Sequence, residues 1–341
     1  MRRNLGWCVL LLCSVMIAGC GGGSGNGSGV SSQDDVGAKS SAAEPSVLIA
    51  RADLATPADE QAGSNAKELN SIIRPLAKSP FWLARNGQFH VYAGNGSRQR
   101  LDINFDTKSY TVTDNLRQTT SGTFSEDALE PGTFVFASSR ITSAVNTARF
   151  RVTADAIVGA FPFEKPWSNP VSYQVVPFVA ARSFVTDRSQ LDGNYNRLGI
   201  SHNSNGISDS QILAMRIAGG GTTLEMCFDN AIYRIESCPA VSKRTYAIAP
   251  SPDSAWTAIN VAAPGDLLQF RMARIGGENV WLSGGYTNAA PDVHVFRVGL
   301  PDSANWPRIR YVGASTEGSW GTNVFDATTS LRSAITPEGV S

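Results

Sequence analysis

The sequence predicts a mostly β protein built from antiparallel sandwich or barrel-like modules, with signs of duplication and one short N-terminal helix. Charged residues make up only 17% of the 341 residues, and small polar residues are abundant, as is typical of extracytoplasmic β proteins. From Phe81 onward, short alternations of apolar and polar residues are separated by turn residues, which indicates antiparallel strands. Two of these alternations also resemble each other at a constant spacing.

The short helix is predicted within a mixed segment, residues 46–80. Asn65 is suited to cap its start, Glu68 follows three residues later, and Pro75 ends or kinks it. The side of this helix that would be buried carries Leu69, Ile72, Ile73 and Leu76. We interpret it as a packing helix.

The best-defined local element is a hairpin early in the β-rich region. Apolar and polar residues alternate over residues 101–105, Asp106-Thr107-Lys108 supplies a turn, and the alternation resumes at Tyr110 and Val112.

A second hairpin is predicted with the same pattern. Apolar and polar residues alternate over residues 224–228, Asp229-Asn230-Ala231 resembles a turn, and Tyr233 and Ile235 would continue the returning strand. Positions 105 and 228, like positions 110 and 233, are 123 residues apart.

Further similarities extend this match. Residues 150–152 resemble 270–272, and residues 175–178 resemble 293–296, at spacings of 120 and 118. We therefore predict two tandem β modules, residues 81–188 and 189–310, followed by a C-terminal strand and tail over 311–341. The alternatives are that β patterning is repetitive by nature, and that both modules close into one sheet system.

The N-terminus carries an export signal. Arg2 and Arg3 precede an apolar stretch over residues 5–18, and the run Ile17-Ala18-Gly19-Cys20 ends it. This run resembles the lipobox of bacterial lipoproteins.

The lipobox resemblance implies that residues 1–19 are removed and that Cys20 receives acyl chains such as palmitate, which attach the chain to a membrane. Position 21 is Gly rather than Asp, which favours the outer membrane over the inner one. The alternatives are an ordinary secretory signal and a retained membrane helix, although the stretch is shorter than the roughly 20 residues that a spanning helix needs.

Residues 20–45 predict a flexible tether, because Gly and Ser dominate its first part and no apolar core can form there. A Gly/Ser coil of about 25 residues has an end-to-end distance of roughly 25 to 30 Å. The tether would hold the folded part away from the membrane.

The chain has five cysteines. Cys8 and Cys13 would leave with the signal and Cys20 would be lipidated, so Cys227 and Cys238 remain to form a disulfide in an oxidising compartment. If Asp229-Asn230-Ala231 closes a regular hairpin, Cys238 lies too far along the returning strand for this bond. The strand would then have to end early and the segment around Cys238 fold back. The alternative is two free thiols, which an oxidising compartment disfavours.

Charge balance and missing motifs count against several function classes. The formal net charge is zero, and removal of two arginines with the signal leaves 27 basic and 29 acidic residues, a net of −2. This balance does not indicate nucleic acid as a partner. The sequence has no motif typical of a serine hydrolase, a phosphate loop or a zinc helix. We assign no catalytic residue, and expect no metal and no cofactor.

Aromatic residues are candidate ligand contacts. Flat rings on loops can stack on sugars or anchor a partner surface, and the candidates are Trp167, Trp256, Trp281 and Trp306. The alternative is that these rings fill the core or cap a barrel end.

These observations favour a lipid-anchored outer-membrane lipoprotein that presents a β scaffold to a glycan, protein or small ligand. A periplasmic structural or assembly factor of the envelope is the second hypothesis. A hydrolase acting on polysaccharide is the third, so an enzyme is the least favoured class.

Overall fold

The computed structural model describes residues 46–51, 85–128, 130–203, 208–253, 255–286, 293–302, 309–315, 318–325, 330–336 and 339–340. These residues form a mostly β protein with two closed eight-stranded antiparallel barrels, which confirms the predicted fold class. The predicted signal, tether and helix lie outside the described residues.

The first barrel follows strand β1 (Ser46–Arg51). Its strands are β2 (Gly87–Ala93), β3 (Arg98–Asn104), β4 (Ser109–Thr113), β5 (Thr119–Glu126), β6 (Phe134–Ala137), β7 (Arg149–Val152), β8 (Ala156–Glu164) and β9 (Tyr173–Ala181). Each strand pairs with the next, and β2 pairs with β9 to close the barrel. The hairpin predicted over residues 101–112 is formed by β3 and β4.

Aromatic rings fill the first barrel. Alternate residues of each strand point inward, and the rings of Phe136 and Phe150 are stacked with their centroids 4.3 Å apart. The other buried phenylalanines of this core are Phe89, Phe124, Phe134, Phe161, Phe163 and Phe178. The interior is therefore a packed core, as expected for a barrel of eight strands.

The second barrel repeats this architecture. Its strands are β10 (Gly193–Asn203), β11 (Ser208–Ala218), β12 (Thr223–Cys227), β13 (Lys243–Ser251), β14 (Ala255–Asn260), β15 (Leu267–Ile275), β16 (Glu278–Tyr286) and β17 (Val293–Pro301). Strand β10 pairs with both β11 and β17, which closes the barrel.

The two barrels correspond strand for strand, but only part of the predicted match reflects this correspondence. Residues 150–152 and 270–272 lie in β7 and β15, and residues 175–178 and 293–296 lie in β9 and β17. The hairpin match is wrong by one strand, because it pairs β3 with β12 although β3 corresponds to β11 in chain order.

The second predicted hairpin is also wrong in its returning strand. Strand β12 ends at Cys227, and two short 3-10 turns at Ile235–Ser237 and Ala240–Ser242 precede β13. Phe228 donates a backbone hydrogen bond to the carbonyl of Ser242. The chain therefore reverses over a loop that contains Cys238, and not at a tight turn around Asp229.

A third sheet was not foreseen. It consists of β18 (Ile309–Ser315), β19 (Trp320–Phe325), β20 (Ser330–Thr336), β21 (Gly339–Val340) and β1, in the order β1-β18-β19-β20-β21. Trp320 is buried against Ala160 of the first barrel, and its Nε1 donates to Oε2 of Glu130 over 2.9 Å.

The barrels pack side by side through outward-facing apolar residues. Tyr92, Val158 and Val179 of the first barrel share one buried cluster with Leu282 and Phe296 of the second. Apolar burial is the main favourable term in such contacts. Among the described residues, no helix has the length and apolar character needed to cross a membrane.

Candidate functional site

The two barrels meet along a line that we call the seam, where β2 and residues 94–98 of the first barrel face β15, β16 and β17 of the second. Gly96 has a φ of +83°, and a Cβ at this position would lie 2.8 Å from Cβ of His294. Such a distance is shorter than side-chain atoms tolerate. The seam therefore depends on glycine at position 96.

Arg271 links the two barrels within the seam. Its Nη1 donates to the hydroxyl of Tyr92 over 3.2 Å and to Nδ1 of His90 over 3.4 Å, and its Nε donates to the carbonyl of Asp253 over 2.9 Å. Burial raises the pKa of Tyr92. The tyrosine is therefore a neutral hydroxyl at neutral pH.

A cleft of about 290 Å³ opens beside this contact, lined in part by Tyr92, Arg98, Asp253, Arg271 and Gly284. The Arg98 side chain passes over Gly284, with Cγ 3.5 Å from the position of a Cβ there. In the part of the chain that the structure describes, no carboxylate forms an ion pair with Arg98 or Arg271. Among the described residues, the cleft thus offers two guanidinium groups that have no ion-paired carboxylate, although Asp253 also lines it.

An exposed apolar loop stands at the other end of the seam. Trp167, Val171 and Tyr173 are 45%, 57% and 40% exposed, and all three lie at the connection between β8 and β9. The Trp167 ring meets the His294 ring edge-on at 4.5 Å, and the Arg140 guanidinium lies 4.5 Å from the Tyr173 ring centroid. Both aromatic rings are therefore held in place and remain accessible.

Successive contacts join this loop to the cleft. Trp167 touches His294, His294 lies against Gly96, and Arg98 follows two residues later over Gly284. The seam therefore combines aromatic rings, which can stack on a sugar face, with guanidinium groups, which bind carboxylates through paired hydrogen bonds.

Two histidines are partly buried at the seam. His202 and His294 are cross-strand partners on β10 and β17, and Nε2 of His202 donates to the carbonyl of Gly94 over 3.0 Å. Burial lowers the pKa of both imidazoles. Across the described ranges, no group of three or more His, Cys, Asp and Glu residues is placed to hold a metal ion.

The tryptophans predicted as ligand contacts differ in their exposure. Trp167 is on a loop, as expected, but Trp256 and Trp281 lie in β14 and β16 and are 4% and 0% exposed. Trp281 stacks on Phe270 at 3.6 Å. The expectation that these two rings stand on loops is thus corrected, because both fill the second barrel. Trp306 and Cys20 lie outside the described residues.

The seam arginines and Tyr173 were missed by the sequence analysis. Arg98 and Arg271 occupy alternating strand positions that resemble ordinary solvated charges, and no motif marks them. Their proximity arises only when the two barrels meet. Tyr173 lies six residues after Trp167, and this spacing of two aromatics around a turn was the available signal.

The predicted disulfide is present. Cys227 and Cys238 are bonded, with their Cα atoms 5.8 Å apart, a separation typical of such bonds. The early end of β12 and the folded-back loop are the arrangement that the bond was expected to require. The disulfide belongs to the scaffold, since Ala214 and Ile235 pack around it.

The fold and the seam together define a tandem two-barrel protein with a third, terminal sheet. No family model matches the chain, and no curated protein is significantly similar to it.

Proposed function

We propose that the protein is a lipid-anchored outer-membrane lipoprotein that binds acidic glycans along the seam between its barrels. The lipobox resemblance at Cys20 supports the anchor, and residues 20–45 would act as the tether. The observation that carries the binding proposal is the exposed Trp167 ring, which stands on the same seam as the guanidinium of Arg98.

The chemistry of the seam selects this ligand class. The apolar face of a sugar ring packs against Trp167 or Tyr173, and a ring contact of this kind contributes on the order of 1 kcal/mol. A uronic acid carboxylate next to it accepts charge-assisted hydrogen bonds from Arg98 and Arg271. A neutral glycan gains only the first of these contributions.

The test is an equilibrium binding titration of the detergent-solubilised full-length protein with the trimer of galacturonic acid. The methyl ester of the same trimer is the matched neutral ligand. We expect the acid to bind more tightly than the ester. Trp167→Ala and Arg98→Gln should each weaken binding of the acid by about tenfold, which corresponds to about 1.4 kcal/mol.

The control variant is Leu116→Ala. Leu116 is 79% exposed in the turn between β4 and β5, so this change removes an exposed apolar side chain away from the seam. Equal binding of the acid and the ester would overturn the proposed charge recognition. An equal loss in Leu116→Ala would overturn the role of the seam.

The anchor has a separate test. Metabolic labelling with a palmitate analogue should label the wild-type chain and not Cys20→Ser. Protease shaving of intact cells, with a periplasmic protein as the leakage control, then tests orientation. Cleavage of the chain while the control survives is expected for presentation at the surface. Protection until the outer membrane is opened would favour the periplasmic structural or assembly role.

A further inference from the structure

We infer that the second barrel binds a small oxyanion, a carboxylate or phosphate group, in its interior between Arg197 and Arg297. This site is separate from the seam and does not depend on the proposed glycan binding. The inference starts from two arginines that the fold places inside the barrel.

Strand alternation sets the direction of both side chains. Tyr195 packs in the barrel core, so Arg197, two residues later on β10, faces the same interior. On β17, Phe296 and Val298 belong to the cluster between the barrels, so Arg297 between them faces inward. Cγ of Arg297 lies 3.4 Å from the position of a Cβ at Gly199, which places it over the inner face of β10.

The Arg197 side chain is buried, and only some of its hydrogen-bond donors have an acceptor. It is 2% exposed, its Nη2 donates to the neutral Oε1 of Gln211 over 3.2 Å, and its Nε has no acceptor. Within the described residues, neither Arg197 nor Arg297 forms an ion pair with a carboxylate. A buried guanidinium without a counterion is rare, since desolvation of an unpaired charge is costly.

The acidic residue whose charge acts on Arg297 already accepts hydrogen bonds from other side chains. Asp266 acts on Arg297 through its charge, but its Oδ2 accepts hydrogen bonds from Tyr246 over 3.1 Å and from Asn260 over 2.8 Å. Among the described residues, Asp266 forms no ion pair with Arg197 or Arg297.

A second buried donor also lacks an acceptor. The indole Nε1 of Trp281 has no hydrogen-bond partner, and indole nitrogen can only donate. Gly299 is the cross-strand partner of both Arg197 and Trp281, so the three residues form one row on the inner face. Buried donors without acceptors point to a missing acceptor such as an ion.

The electrostatics favour the same occupant. Burial lowers the pKa of Arg197 well below its usual value, and the neighbouring Arg297 lowers it further. Burial likewise lowers the pKa of Arg297. An oxyanion between them would offset both charges and accept hydrogen bonds in the planar geometry that guanidinium groups offer.

The test measures thermal unfolding of detergent-solubilised full-length protein that has been unfolded and refolded in chloride, inorganic phosphate or acetate at constant ionic strength. Refolding gives the ion access to a site that is closed in the native state. We expect Tm to rise with the concentration of phosphate or of acetate, and the more effective anion identifies the group that the site prefers. Chloride alone should give the lowest Tm.

Arg197→Met should abolish this rise, and its Tm in chloride should equal or exceed that of the wild type because an uncompensated charge has been removed. Leu116→Ala is the control, since it changes an exposed side chain of the first barrel and should keep the full rise. Equal Tm values of the wild type in all three anions, or a rise retained by Arg197→Met, would overturn the inference.

A second measurement decides the question if Arg197→Met fails to fold. Equilibrium dialysis of the wild-type protein, refolded with radiolabelled phosphate or acetate, should retain about one equivalent per chain. Retention of neither ion overturns the inference. Loss of glycan binding in Arg98→Gln with anion retention unchanged would separate this site from the seam.

Discussion

Arg271 of the second barrel donates a hydrogen bond over 3.2 Å to the hydroxyl of Tyr92 in the first barrel. Tyr92 is 3% exposed, so its hydroxyl is shielded from water that could replace this bond. The contact adds a directional interaction to the apolar cluster that holds the barrels together.

Tyr92→Phe should weaken the coupling between the barrels, because it keeps the ring and removes the acceptor. We expect a loss of about 1 kcal/mol in the free energy of unfolding and a wider separation of two calorimetric transitions. Tyr110→Phe is the matched control, since that hydroxyl donates to Ala137 within the first barrel. If Tyr110→Phe separates the two calorimetric transitions as much as Tyr92→Phe does, the contact between Arg271 and Tyr92 has no special role in coupling the barrels.

Gly96→Ala should destabilise the seam more than a glycine substitution elsewhere. The new Cβ would meet His294 at 2.8 Å, whereas Gly277 has a φ of +88° and nothing within 4 Å of its Cβ position. Both substitutions carry the cost of a positive φ, and only Gly96→Ala adds steric overlap, of roughly 1 to 3 kcal/mol. Urea unfolding of the two variants measures this difference, and equal losses would show that the packing at Gly96 is loose.

Reduction of the disulfide should lower the stability of the second barrel. The bond joins residues separated by 11 positions, for which chain entropy gives a contribution of about 3 kcal/mol. Urea unfolding with and without dithiothreitol measures the effect. The Cys227→Ser/Cys238→Ser variant should match the reduced protein and show no response to dithiothreitol, and a response would mean that the reagent acts elsewhere.

Stability should fall as the pH is lowered through the histidine range. Folding lowers the pKa values of His202 and His294 below the usual 6.5, chiefly because both are partly buried. The unfolded chain therefore binds protons first, and stability is lost as the pH falls from about 6.5 to the lowered folded pKa values.

Free energies of unfolding between pH 8 and pH 5 test this expectation. The His202→Gln/His294→Gln variant should lose less stability over this range than the wild type. Identical pH profiles for the two proteins would show that other groups control the response.

Local patterns in the sequence predicted individual strands such as β3 and β4. They did not predict which strands pair across long stretches of the chain. The alternation over residues 101–112 became β3 and β4 because each residue's inward or outward direction follows from its position along the strand. Closure of the first barrel depends on pairing of β2 with β9. The third sheet depends on pairing of β1 with β18, across most of the chain.

The candidate site was less predictable than the fold. Trp167 stands on an exposed loop, as the sequence predicted, whereas Trp281, predicted in the same way, is a core residue between Val280 and Leu282. Arg98 lines the cleft only because the second barrel packs against the first, and the sequence does not show this packing. Arg197 carries no signal in the sequence, since strand alternation identifies a buried guanidinium only after the inner face of β10 is known.

The pairing of β1 with β18 also determines where a mechanical load enters the protein. Ser46 pairs with Ser315 and Arg51 with Arg310, so tension on the chain before Ser46 acts first at one end of this two-strand ladder. The hydrogen bonds nearest that end bear the force before those farther along. Because β1 belongs to neither closed barrel, its separation from β18 would break no strand pairing within either barrel, and we expect both barrels to survive that first mechanical event.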